Sequence, residues 1–171
     1  MTSSASLPRQ ARRGHGRVTL QDVAAAAGVT SITVSRFLRE PAVVARDTAA
    51  RIEAALPALW GTHDFSAFRA ADCQAKSPIK TIHSASVQQQ GALLRFDFHA
   101  NAFLHHMIRN IMGTLVYIGS GRQSSGWMRE LIAQKDRKLA APTFSPAGLY
   151  LAGIEYDSRF AIPETFVDPC L

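Results

Sequence analysis

Cysteine is scarce in this chain. Cys73 and Cys170 are far apart and have no CxxC partner. That excludes a disulfide-stapled scaffold and a paired-thiol zinc motif, and it reads as two reduced thiols in a cytoplasmic protein. Long apolar runs are also missing: no stretch of eighteen occurs, which excludes a helical membrane span. The N-terminus has arginines but no apolar segment behind them, so it is not a secretory signal. Acidic residues are few, 13 against 19 Lys and Arg, for a net charge of +6 and a pI near 9.9. Such an excess favours a polyanionic partner, most economically nucleic acid, although charge alone is weak support. What the chain does have is 47% hydrophobic residues over 171 positions, enough core for one ordinary domain or two small ones.

Four segments follow from the patterning. Residues 1–17 read as a disordered basic tail, in which Arg9, Arg12, Arg13 and Arg17 precede the first acid, Asp22. It is either solvated or an arm that adds phosphate contacts. Residues 18–56 read as three short helices. Thr19 caps the first with Asp22 in a weak capping box, and Leu20, Val23, Ala24 and Ala27 give it a buried side. Gly28-Val29 is a stop and turn. Thr30 caps a second helix over Ser31–Leu38, with Val34, Phe37 and Leu38 inward. Pro41 ends the connection, and Asp47–Leu56 is the third helix. Two helices across a tight turn with a third closing the core make a helix-turn-helix.

Thr19-Leu20-Gln21-Asp22-Val23-Ala24, Ala27-Gly28-Val29 and Thr33-Val34-Ser35-Arg36 closely resemble the DNA-binding headpiece of the lac-repressor family. The resemblance implies that Ser31 and Ile32 face base edges in the major groove of duplex DNA, with Ser35 and Arg36 on phosphate or base. The chain departs from that family at Ala45, where a serine cap is usual, and at Ala49, where an arginine is common. No hinge helix or sugar-binding core follows.

Residues 57–163 form the third segment, entered without a Ser/Gly-rich linker, and Pro57 breaks the preceding helix. Gly61–Arg69 and Cys73–Pro78 read as loop or short helix. Ile79–Gln88 and Ala92–His99 read as a hairpin around Gln90-Gly91, with Leu94, Phe96 and Phe98 on one face. The stretch from Phe98 to Gly113 reads as a strand end, a turn at Ala100-Asn101, and a helix running to about Ile118. Its buried stripe is Phe103, Met107, Ile111 and Leu115, with His105 and Arg109 on one exposed face and His106 and Asn110 on the adjoining one. Trp127–Gln134 is another helix, and Asp136–Pro146 a polar loop. Gly148–Tyr156, apolar on both faces, reads as an internal strand. Residues 164–171 are a tail. The predicted class is α+β: a three-helix headpiece, then an antiparallel or mixed sheet with helices on one face.

The run Phe98–Gly113, the blocks Gly61–Arg69 and Cys73–Pro78, and Gly148-Leu149-Tyr150-Leu151 closely resemble the bacterial tRNA pseudouridine synthase A family, nearly continuously to about Pro163. The resemblance implies half of a synthase fold that binds the anticodon arm of tRNA as a homodimer. It also places the seam between the two families within residues 52–60. Such enzymes break the bond between ribose C1′ and uracil N1, turn the base and rejoin it through C5, without cofactor or metal. Arg109 matches the arginine that pairs the catalytic aspartate, and Leu149 the apolar residue packed on the uracil. Phe103, His105 and His106 line the same region by helical spacing. The aspartate motif, Arg-Thr-Asp, does not map onto this chain, and neither Asp64 nor Asp97 stands in it, so the chain alone is expected to be inactive.

Blander readings stand beside these. Adjacent His105 and His106 are not a zinc pair, Met107 and Met112 are core filler, and Lys135-Asp136-Arg137-Lys138 is a solvated loop or a phosphate contact. The alternative function is a lac-repressor-type DNA-binding regulator with an exchanged C-terminal domain.

Overall fold

The structure is a computed structural model that describes residues 19–27, 29–39, 41–91, 93–163 and 166–167; the side chains of residue 27, residues 36–39 and residues 41–45 lie outside the description. The basic tail, the turn glycine Gly28, Cys170 and the end of the C-terminal tail fall outside it. So do the inward side chains expected at Phe37 and Leu38.

Three helices come first: α1 (Leu20–Ala27), α2 (Ser31–Arg39) and α3 (Pro41–Glu53). The capping box at α1 closes in both directions. The Thr19 backbone N–H donates to Asp22 Oδ2 at 2.8 Å, and the Asp22 N–H donates back to Thr19 Oγ1 at 3.2 Å. Those Thr19 bonds, the backbone one first, hold the Asp22 carboxyl below its ordinary range. Thr30 caps α2 through the Thr33 N–H at 3.2 Å. Of the expected buried side of α1, Ala24 is buried while Leu20 and Val23 are more than two-fifths exposed, and the Ala27 side chain lies outside the description. The third helix starts earlier than expected, at Pro41, whose fixed φ suits a first helical turn and whose missing N–H is no loss there.

At its far end α3 belongs to a second core. Ile52, with Ala55, Leu56 and Leu59 just beyond the helix, packs with Phe65, Phe68, Ile82, Met107, Ile111, Leu115, Ile118, Met128 and Leu131. Pro57 turns the chain through a 3₁₀ turn, Leu56–Leu59, that keeps both leucines buried. The headpiece is therefore joined to the rest by shared packing. The Arg51 guanidinium adds a hydrogen bond to the Gly119 carbonyl at 3.0 Å.

The sheet is antiparallel, in the order β1-β2-β3, with β1 Gly61–Asp64, β2 Ile79–Gln90 and β3 Leu93–Ala100. Gly61–Asp64 reads locally as loop or short helix. It is a strand because it pairs with Ile79–Ile82 of β2, a contact far away in sequence. β2 pairs with β3 from Gln90↔Leu93 to Ser84↔His99, with an irregularity between Ile82 and Ser84. Helices α4 (Met107–Gly119) and α5 (Trp127–Gln134) follow the sheet, with short 3₁₀ turns at Ser66–Phe68, Arg137–Leu139 and Ser158–Phe160. Helices and an antiparallel sheet in one chain make the class α+β, as predicted.

Two expectations fail here. The central helix starts at Met107, so Phe103, His105 and His106 precede it. Asn101 explains the delay: its N–H donates to the Thr81 carbonyl at 3.0 Å, and its Oδ1 accepts the Thr81 N–H at 2.9 Å. This two-way bond carries the chain along β2 past the end of β3. Phe103 is consequently 41% exposed and leaves the buried stripe, while Leu104 takes the inward place. The second failure is the strand at Gly148–Tyr156, which forms no ladder; Leu149, Tyr150, Leu151, Ile154 and Tyr156 are all exposed. A segment apolar on both faces needs cover on both, and no described element supplies it. Its described polar contacts are His99 Nε2 to Glu155 Oε2 at 3.4 Å and a hydrogen bond from the Val167 N–H to the Ala152 carbonyl at 2.8 Å.

Candidate active site

The start of α4 gathers three of the candidate residues, His105, His106 and Arg109. His106 stands at the N-cap with φ of 57°, in the left-handed region. The preceding loop is pinned to residues 70–73. The Ala70 N–H donates to the His105 carbonyl at 3.2 Å, and the His105 N–H points at Cys73 Sγ at 3.4 Å. The His105 ring reaches Asp72 through Nδ1 at 3.1 Å and lies against the His106 ring, with centroids 3.9 Å apart. The His105 hydrogen bond keeps the Asp72 carboxyl below its ordinary range. Partial burial, then the charges of His105 and Arg109, push the His106 imidazole down. The buried Cys73 thiol is held below its usual range by the Ala75 backbone N–H and then by that of His105.

Arg109, one turn into α4, is fixed from across the site. Its Nε–H donates to the Phe144 carbonyl at 2.8 Å, and the Phe144 N–H donates back to the Arg109 carbonyl at 3.1 Å. The Nη groups of the fork stay open, and no carboxylate among the described residues pairs with Arg109. A guanidinium held by one edge presents the other to an anion, bidentately if that anion is a carboxylate or phosphate.

Arg109, His105 and His106 thus come together. No hydrogen bond, ion pair or ring contact joins Phe103 or Leu149 to them, and both are exposed. In the headpiece Ile32 is 71% exposed at the start of α2, Ser31 and Ser35 are half-buried, and the Arg36 side chain lies outside the description. No group of three or more metal-ligating residues occurs among the described residues.

Sequence reasoning missed the scaffold beneath the site. Asn110, whose spacing from His106 suggests a polar face, is fully buried. Its Nδ2 donates to the Phe68 carbonyl at 2.8 Å, while its Oδ1 accepts from Thr143 Oγ1 at 2.7 Å and from Arg137 at 3.1 Å. Arg137, read with its neighbours as solvated or phosphate-binding, turns inward and also donates to the Ala141 carbonyl at 2.9 Å. Spacing could have found Asn110 and Thr114: three and seven residues after Met107, they fall on the apolar stripe. Nothing in a charged run singles out Arg137. The adjoining 141–142 segment crosses α4 so closely that Gly113 has no room for a Cβ beside the Pro142 carbonyl.

Comparison with known proteins matches both parts of the chain. A family model described as tRNA pseudouridine synthase matches residues 55–157, and one described as bacterial regulatory proteins, lacI family, matches residues 19–59. The tRNA pseudouridine synthase A of Herminiimonas arsenicoxydans is 53% identical over 116 residues, 68% of this chain and 42% of that protein. That of Dechloromonas aromatica (strain RCB) is 59% identical over 106 residues, 62% of this chain and 40% of its own. That of Thiobacillus denitrificans is 54% identical over 119 residues, 70% and 45% respectively. The chain spans about two fifths of the length of the curated relatives it matches. Because residues 55–157, more than half of the sequence, carry the synthase match behind a lacI-type helix-turn-helix, the chain belongs to the tRNA pseudouridine synthase family.

Proposed function

We propose that residues 57–163 are the tRNA-facing half of a uridine-isomerising site, whose catalytic carboxylate is supplied from outside these residues. The observation that carries this reading is Arg109: edge-bonded to Phe144, beside two histidines, and without a carboxylate partner among the described residues. In this reading the open fork pairs the incoming aspartate. Leu149 closes over the flipped uracil once the exposed ribbon is covered, and Phe103, His105 and His106 border the RNA. The chain holds no Arg-Thr-Asp motif. Alone it binds an anticodon arm, as a cytoplasmic homodimer, and turns nothing over.

The test is direct. The chain is titrated with an unmodified anticodon-arm hairpin, and pseudouridine is scored after incubation. Binding without product is expected. Turnover by the purified chain would overturn the divided-site reading, and absence of binding would overturn the RNA reading.

A second reading has its own support. Ile32 is exposed at the start of a helix capped by Thr30, as an apolar contact to a thymine methyl requires. The headpiece, with Ser31, Ser35 and Arg36 beside Ile32, then makes the chain a DNA-binding regulator. Titration with duplex DNA at matched salt separates the two, because tighter duplex than hairpin binding favours the regulator.

A further inference from the structure

An open groove of about 730 Å³ lies where α3 meets the end of α4, away from Arg109. Its walls come from the two different families. Arg51, on α3, lies within residues 19–59, whereas Ile118 and the turn Gly121–Ser125 lie within residues 55–157.

Its polar lining is Arg51, Arg122, Gln123 and a pair of serines, and it has no acidic side chain. Both guanidinium groups are held in place. Arg51 donates through Nη1 to the Gly119 carbonyl at 3.0 Å, and Arg122 lies over the Tyr117 ring, 5.1 Å from its centroid. No carboxylate among the described residues pairs with either. Two cations without a carboxylate partner, lining one groove with an amide and two hydroxyls, suit a tetrahedral oxyanion rather than an apolar ligand.

We infer that this seam groove binds a backbone phosphodiester of RNA. The choice of RNA rests on the proposed function. Ile118 lies nine residues after Arg109 on α4, about 14 Å along its axis and on the opposite face. A folded RNA recognised by its backbone shape would have to pass round the end of that helix to reach the groove and Arg109 together. The groove adds sequence-independent affinity and leaves the chemistry at Arg109 untouched.

The test titrates the full chain with an anticodon-arm hairpin and with duplex DNA over a salt series, comparing wild type, R51Q, R122Q and the charge-preserving R51K and R122K. R51Q and R122Q should each lower the salt slope for the hairpin by about 1 and weaken binding several-fold, while the lysine variants keep most of the slope. Because R51Q also removes the Gly119 bond, R122Q and thermal melts separate lost binding from lost folding. A slope unchanged in both glutamine variants overturns the groove alone. A loss confined to duplex DNA overturns its assignment to RNA. Failure of the wild-type chain to bind the hairpin overturns the groove and the proposed function together.

Discussion

Arg137 Nη2 donates to Asn110 Oδ1 over 3.1 Å, joining a charged loop to the buried face of α4 across 27 residues of sequence. Thr143 donates to the same oxygen at 2.7 Å. Burial pushes the Arg137 guanidinium down from its ordinary value. Asn110→Ala strips partners from Phe68, Thr143 and Arg137 at once, and should cost about 2–4 kcal/mol in urea denaturation. A loss below about 0.5 kcal/mol, the scale of an ordinary surface change, would show the network to be dispensable.

Gly113 tests the same junction by volume. A Cβ there overlaps the Pro142 carbonyl, which belongs to backbone and cannot swing aside. Gly113→Ala should destabilise by about 1–3 kcal/mol even though alanine is the better helix former. A stabilised variant in thermal melts would mean that the loop yields freely.

Arg109→Lys keeps the charge and loses the fork. Lysine has no Nε–H to give the Phe144 carbonyl while presenting an open edge. Hairpin affinity should fall by about tenfold, or 1.4 kcal/mol, in a binding titration. Wild-type affinity in this variant would reduce Arg109 to a general positive charge.

Asp64 gives a pH-dependent test. It accepts from Ser66 Oγ at 2.6 Å and the Ser66 N–H at 3.0 Å, and pairs with Lys135 at 3.5 Å. The Ser66 hydroxyl is the main cause holding its carboxyl below the ordinary 3.8. A depressed folded pKa adds stability above the unfolded value, and that stability disappears as pH falls through the folded one. Asp64→Asn should therefore cost about 1 kcal/mol at neutral pH, with the gap from wild type closing below about pH 4. A gap that stays constant in acid would remove the carboxylate from the explanation.

Ile52 tests whether the headpiece unfolds with the rest. It is 2% exposed, on the helix shared by both units. Ile52→Ala should cost about 2–4 kcal/mol and leave one calorimetric transition, shifted down. Two transitions of which only one moves would show that α3 does not couple the units.

Local signals were enough for much of this. Thr19 with Asp22, and Thr30 three residues before Thr33, are short-range contacts, so the α1 and α2 starts were legible. Trp127–Gln134 was read at its observed bounds, since its amphipathic period and flanking turn residues agree. The core stripe of Met107, Ile111 and Leu115 was equally plain. The start of α4 was not legible, because Thr81 and Asn101 are 20 residues apart and their two-way bond overrides local helical spacing.

The sequence by itself determined the class, the two family resemblances and the residues that recur with helical or strand period, because those depend on neighbours along the chain. Tertiary structure alone decided that His105 and His106 sit before the helix, that Arg137 turns inward to Asn110, and that Gly61–Asp64 becomes a strand. It also left Gly148–Tyr156 uncovered. Each of those outcomes depends on which distant group supplies the missing hydrogen bond or apolar cover, and periodicity carries no information about that.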